Sequence, residues 1–352
     1  MSKFLVEKFN TLTPYVPGEQ PKEKKYVKLN TNESPFPPSP KAVEYACREA
    51  QKVMLYSDPD VTDLVQALAK TYGVQKENVI VTNGSDEVLN FAFMAYCNEQ
   101  NPAIFADITY GFYKVFAEVN ALPYKQIPLK DDFRLDINDY VNECGTIFIA
   151  NPNAPTGIAL SLDEIETLVK ANENRIVVID EAYVDFGTES AVALTKKYDN
   201  VLVTQTFSKS RSMAGARVGF GIGSQAIIDD LNRIRYSTNP YNVNRMSEYA
   251  GVGALEDKEY FENNCRTIIA NREWTVNELK KLGFTMTDSK ANFIFAKSDS
   301  IDGKELYLKL KERGVLVRHF DKARIRDYNR ITIGSFAEMQ TYIDTVKTIL
   351  EK

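Results

Sequence analysis

Two stretches decide the fold: IVVIDEAY at residues 176–183 and VLVTQTFSKSRSMAGAR at residues 201–217. Each opens on an apolar, β-branched run, 176–179 and 201–205, and then turns polar. Runs that are apolar throughout suit strands covered on both faces, as in a parallel sheet wrapped by helices. In such a sheet, ligands gather beyond the carboxyl ends of the strands. Asp180 ends the first run, where a carboxylate is costly unless a cation or hydrogen bonds meet it; a plain cap on the next segment is the simpler use. Lys209 follows the second run, flanked by Ser208 and Ser210, with Gly215 and Arg217 a short turn later. Most isolated lysines are solvated surface charges; this one sits among hydroxyls at a strand end.

Outward from these stretches the pattern alternates. Apolar runs at 79–82, 103–105, 147–150 and 218–222 interleave with helix-like stretches at 41–55, 61–72, 85–97, 111–120 and 161–172. This predicts an α/β fold with a mostly parallel sheet. Beyond residue 240 a long helical stretch, 244–281, leads to short strands at 293–296, 315–318 and 330–333. A final amphipathic helix places Phe336, Met339, Ile343, Val346 and Leu350 on one side. At 352 residues the chain exceeds one ordinary compact domain. The expected division is an arm at 1–40 grouped with the small domain, a large domain at 41–243 and a small α+β domain at 244–352. Prolines from Pro14 to Pro40 keep the arm from forming long helices, while Phe4, Leu12 and Tyr15 suggest that it docks.

Composition removes several classes. The net charge of −5, without a basic stripe, argues against nucleic acid. No apolar run approaches a bilayer span, and MSKFLVEKFN lacks the apolar core of a signal peptide. The 4 cysteines lie far apart and form no CxxC pair, so free, mostly buried thiols and a cytoplasmic location are expected. The single histidine, His319, excludes a His-rich metal site and would have to carry any Ser-His-Asp hydrolase alone. It is expected on a partly exposed loop. The chemistry falls to Lys, Asp, Tyr, Arg and Asn, or to a cofactor.

Two further strand ends carry candidates. After 79–82 come Asn83, Gly84, Ser85 and Asp86, where a tight turn and the first helical N–H groups suit a phosphate, although Ser-Asp is also a plain helix cap. After 147–150 comes Asn151-Pro152-Asn153-Ala154-Pro155-Thr156-Gly157, a rigid turn that aims an amide at a ligand or is an ordinary Pro-Gly loop.

Taken in order, the phosphate cradle, the Asn loop, Asp180 with Tyr183, and Ser208-Lys209 followed by Arg217 resemble the aspartate-aminotransferase-like pyridoxal-phosphate enzymes. These are the fold type I group, with the class II aminotransferases among them, and the resemblance runs over nearly the whole chain. It implies a Schiff base on Lys209, which also acts as general base and acid. It implies Asp180 paired with the pyridinium nitrogen and Tyr183 on the ring 3-oxygen. Gly84, Ser85, Asp86 through its backbone, Thr206, Ser208 and Arg217 would serve the cofactor phosphate, and Tyr110 would stack on the ring. The family usually has Asn directly before Pro-Thr-Gly; here Ala154 stands there, so either Asn153 takes over or Tyr183 acts alone.

Within the family the likeness is to the branch that moves the amine of L-histidinol phosphate to 2-oxoglutarate in histidine biosynthesis. It rests on Leu12-Thr13-Pro14-Tyr15, on Leu29 to Pro35 including Asn32, on Tyr56-Ser57-Asp58-Pro59, and on Arg318 and Arg330. The resemblance implies that Tyr15, Asn32 and the two arginines face the substrate. It also implies a homodimer in which Tyr56 reaches the partner's cofactor phosphate. Two guanidinium forks suit a phosphate dianion. An aromatic aminotransferase, binding an α-carboxylate there, and a threonine-phosphate decarboxylase show the same pair. A non-enzymatic regulator built on this fold would carry an added basic DNA-binding segment, which the sequence lacks.

Overall fold

The computed structural model describes residues 2–10, 12–141 and 143–351. Its central sheet has 7 strands. They are β1 Val79–Thr82, β2 Ala103–Ala106, β3 Tyr124–Ile127, β4 Thr146–Ala150, β5 Val177–Asp180, β6 Val201–Thr206 and β7 Gly219–Ile222. The order is β1-β7-β6-β5-β4-β2-β3, and only β7 runs against its neighbours. The other carboxyl ends therefore emerge along one edge. Side chains alternate across a strand. Val177, Ile179, Val201 and Val203 enter one core layer, while Val178 and Leu202 enter the layer on the opposite face. All six are buried, each contributing about 1.5–3 kcal/mol relative to exposure.

The second body has four strands: β8 Phe284–Met286, β9 Phe293–Ser298, β10 Arg318–His319 and β11 Asn329–Thr332, antiparallel in the order β10-β11-β9-β8. The helices Lys258–Lys281, Gly303–Glu312 and Phe336–Ile349 share its core. The arm docks on this body. Val27–Lys28 pairs in parallel with Val315–Leu316, Leu29 is buried, and Glu19 accepts from Tyr307 and Lys311. Tyr15 instead packs on Phe112 of the large domain, ring centroids 4.4 Å apart. Phe4 stays exposed on the single chain.

Several elements differ from the sequence expectation. The edge strand β3 reads Tyr-Lys-Gln-Ile and is half solvated, so it lacks the apolar signature of its neighbours. The helices Gln225–Thr238 and Gly303–Glu312 carry enough charge to blur their apolar face. The stretch 244–281 breaks at Asp257 into Arg245–Glu256 and Lys258–Lys281. Ala250 and Ala254 of the first join the large sheet's core beside Ala42 and Leu64. Lys258–Lys281 instead packs into the core of the four-stranded body. His319 lies in β10 rather than on a loop, stacked on Tyr307. Of the cysteines, Cys97 and Cys265 are buried but Cys47 and Cys144 are exposed; all four are free. Among the described residues no helix is long and apolar enough to cross a membrane.

Gly219 pairs with both Thr82 and Thr206 at the carboxyl edge. A Cβ there would lie 2.0 Å from the Ser85 backbone nitrogen and 2.4 Å from the Gly84 carbonyl carbon. Neither neighbour is a flexible side-chain end, so Gly219→Ala must displace the start of the helix Ser85–Tyr96. Denaturant unfolding should show a loss of about 1–3 kcal/mol; an unchanged midpoint would mean that this contact does not constrain the fold.

Candidate active site

The carboxyl edge opens into a cavity of about 220 Å³ whose wall includes Ser85, Asp86, Tyr110, Asp180, Tyr183, Thr206, Ser208, Lys209 and Arg217. Residues far apart in sequence meet here because each follows a parallel strand: Ser85 and Asp86 after β1, Tyr110 after β2, Tyr183 after β5, Ser208 and Lys209 after β6.

One end is built for an anion. Gly84 caps the helix Ser85–Tyr96 at φ 82, and the first N–H groups of a helix have no partner within it. Arg217, at φ 55, passes so close that a Cβ on Gly84 would lie 2.5 Å from its Nη2. Arg217 donates to the Ser208 hydroxyl at 3.4 Å, and the Thr206 hydroxyl oxygen lies 3.0 Å from that of Ser208. The Asp86 carboxylate is turned away to Tyr110, whose hydroxyl donates at 2.8 Å, and to Arg217 at 3.2 Å. Only the backbone of Asp86 remains for a phosphate.

At the other end stands Asp180, 4% exposed. The Tyr113 hydroxyl donates to its Oδ2 at 2.9 Å and the Thr204 hydroxyl to its Oδ1 at 3.3 Å. Among the described residues no cation lies within salt-bridge distance of it. Burial pushes its carboxyl up to about 6, opposed by the Tyr113 and Thr204 bonds, while Asp86 reinforces the rise. A buried carboxylate with neutral donors and no positive partner suits a cationic ligand atom.

Lys209 lies between the two ends, 5.9 Å from the Tyr183 ring centroid, and donates to the Thr31 carbonyl at 3.4 Å. Burial first, then Arg330, lowers its ammonium to about 8, against the pull of Asp86 and Glu33. The amine is thus readily neutral, as a nucleophile must be. Burial pushes the Tyr183 phenol up, while Arg330 and Asn32 hold it back. The Asn32 amide donates to the Tyr183 hydroxyl oxygen at 2.9 Å, leaving the phenolic proton for another acceptor.

A second cavity of about 400 Å³ shares Tyr110, Tyr183 and Lys209 with the first and adds Tyr15, Arg318 and Arg330. Arg318 and Arg330 stand directly opposite each other on β10 and β11. Directly opposed residues share a sheet face, and like charges so placed repel. Neither has an acidic partner among the described residues. Arg318 donates to the Val16 and Pro17 carbonyls and Arg330 to that of Asn30. The Arg330 Nε is buried with no partner among the described residues. Both guanidiniums lie 5.6 Å from the Phe320 ring centroid.

Asn153, Asn32 and Tyr56 have partners of their own within the chain. Asn153 turns to neighbouring parts of the chain. Its amide donates to the Ile108 carbonyl and the Thr156 hydroxyl, its oxygen accepts from Thr109, and Ala154 lines the cavity instead. Asn32 is buried at φ 55 and lines the second cavity; its amide donates one bond to Tyr183 and its oxygen accepts from Thr332. Tyr56 is exposed and stacked on Tyr241 at 4.6 Å, away from this chain's own cavity. The sequence reading missed Tyr113, Thr204 and Phe320. Tyr113 lies three positions after Tyr110, and Thr204 is the polar residue paired with Asp180 across β5 and β6.

The chain belongs to the class I and II aminotransferases, whose family model matches residues 24–346. Its relatives include two histidinol-phosphate aminotransferases. The one from Brachyspira hyodysenteriae is 50% identical with 100% of both chains covered. The one from Clostridium acetobutylicum is 47% identical with 99% of each covered. The fold matches the Sinorhizobium meliloti histidinol-phosphate aminotransferase solved with pyridoxal-5'-phosphate, at TM-score 0.90, 23% identity and 99% of each chain. The family works with pyridoxal phosphate, and the donor set fits it: an anion cradle, an unpaired buried carboxylate, a near-neutral amine and a phenol.

An exposed lysine loses its proton near pH 10.4. Because Lys209 is lowered to about 8, visible imine absorbance from apoenzyme and pyridoxal phosphate should form faster as pH rises through about 8 and then level off. A rate still climbing towards pH 10 would show an ordinary lysine.

Proposed function

We propose that the protein transfers the amine of L-histidinol phosphate to 2-oxoglutarate, giving imidazole-acetol phosphate and glutamate, in histidine biosynthesis. The observation that carries the substrate reading is the opposed pair Arg318 and Arg330, without a carboxylate partner, facing the cavity that holds Lys209. A phosphate dianion relieves the repulsion between two guanidiniums and matches their fork geometry. The two relatives' shared name agrees with it.

Pyridoxal phosphate, when bound, supplies the electron sink that makes a substrate C–H acidic. Ser85, Ser208, Arg217 and the Asp86 backbone would hold its phosphate. The Asp180 carboxylate would keep a proton at the ring nitrogen. Tyr183, aimed by Asn32, would donate to the ring 3-oxygen. Lys209 Nζ would carry the cofactor and serve as the general base and acid at the substrate carbon in both halves of the reaction. Tyr15, packed on Phe112, closes the cavity over the arginines.

The working form is a homodimer. Val53, Met54, Leu55 and Tyr56 form a consecutive run of exposed apolar side chains, and such patches mark interfaces. In the dimer Tyr56 reaches the partner's cofactor phosphate. The exposed free thiols Cys47 and Cys144 agree with a cytoplasmic location.

Mixing the loaded enzyme with one amine donor at a time, without keto acid, tests the substrate. L-Histidinol phosphate alone should bleach the visible absorbance within one turnover; phenylalanine or aspartate doing so instead would move the arginines to α-carboxylate binding. Arg330→Gln should cost about 1.5–3 kcal/mol, roughly ten- to hundredfold in kcat/KM for histidinol phosphate. Tyr56→Ala should weaken pyridoxal phosphate affinity about tenfold, the loss of one hydrogen bond to a charged group. Unchanged affinity, or a monomer in sedimentation at enzyme-assay concentration, would remove Tyr56 from the site.

A further inference from the structure

We propose that Tyr113 is a positioning residue for this reaction, its buried hydroxyl and ring together fixing the Asp180 carboxylate and the Tyr110 ring that address the cofactor. The inference rests on the reading of the cavity as a pyridoxal phosphate site.

Tyr113 is wholly buried in the first turn of the helix Phe112–Val119. Its hydroxyl makes the shorter of the two side-chain bonds to Asp180, 2.9 Å at Oδ2 against 3.3 Å from Thr204 at Oδ1. Its ring meets Tyr110 edge to face, centroids 5.7 Å apart and planes at 90°. Phe105, Phe148 and Phe93 enclose the remaining ring surface, so the side chain has no room to turn. Tyr110 is tied at its far end to Asp86, which also pairs with Arg217. Tyr113 thus joins the carboxylate end of the cavity to the aromatic wall and, through Asp86, to the anion end.

The hydroxyl has a definite electrostatic effect. A donor on a carboxylate oxygen stabilises the charged form and makes it a weaker base. With Tyr113 donating, a proton shared between Asp180 and the ring nitrogen stays on the nitrogen. Without it, Asp180 takes a larger share and the ring loses positive charge. A less positive ring makes the lysine imine more basic. The charged and titratable groups around Asp180 are Asp86, Tyr110, Tyr183 and Lys209, and all are retained when only the Tyr113 hydroxyl is removed.

The test is Tyr113→Phe, which keeps the ring. Visible absorbance of the loaded variant is titrated from about pH 5 to 10, with kcat and KM measured beside it. The imine midpoint should rise by about half a unit or more and kcat should fall about tenfold, while KM for the amine donor stays within about twofold. An unmoved midpoint overturns the proposal, whatever happens to kcat, because a merely structural role would lower activity without that shift. If wild type forms no visible absorbance, the cofactor reading itself fails, which is a distinct result. Should Tyr113→Phe not fold, 3,5-difluorotyrosine at position 113 keeps the shape and strengthens the donor. The midpoint must then fall, and a midpoint that stays put overturns the proposal equally.

Discussion

A carboxylate kept in the interior without a positive partner organises this molecule. Asp180 ends β5, between β4 and β6, where the backbone leaves it no route to water. Such a group is tolerable because hydroxyls from two different elements, Tyr113 and Thr204, converge on it. That demand propagates. Thr204 must lie opposite Asp180 in register, and the helix Phe112–Val119 must start where it does for Tyr113 to reach. Lys209 owes its lowered proton affinity to the same enclosure.

The parallel sheet was legible because its central strands are buried on both faces and carry unbroken apolar runs. The edge strand β3 was not, because one flank meets solvent and its residues are mixed. Asp180, Ser85 and Lys209, which line the cavity, stand out in the sequence because they end or follow a recognisable strand, and Arg217 because it comes a short turn after Lys209. Tyr113 was hidden by its own burial, since an aromatic among aromatics reads as core. Asn153 carries a different ambiguity. An amide in a rigid loop offers the same atoms to a ligand or to the neighbouring chain, and here Ile108, Thr109 and Thr156 take them. Ala154 therefore leaves Tyr183 as the candidate donor to the ring 3-oxygen, steadied by Asn32.

The small domain contributes by register. Two arginines face each other on β10 and β11 only because Arg318 and Arg330 are direct partners; a slip of one residue would set Arg330 against His319 and turn one guanidinium to the other face. Phe320 and Phe293 offer ring faces to the pair. Rings of this kind attract a guanidinium without neutralising it, so the charge stays available to a ligand.

Arg318 reaches the arm as well as the cavity, its two terminal nitrogens donating to the Val16 and Pro17 carbonyls. The same side chain thus holds a segment of its own chain and lines the cavity. An anion bound at this guanidinium would be coupled to docking of the arm, and such coupling is reciprocal. The first turn of this coupling passes through Tyr15, which rides on the adjacent backbone and rests on the large domain. Because the N-terminal segment is tethered, its local concentration at Arg318 does not fall when the enzyme is diluted.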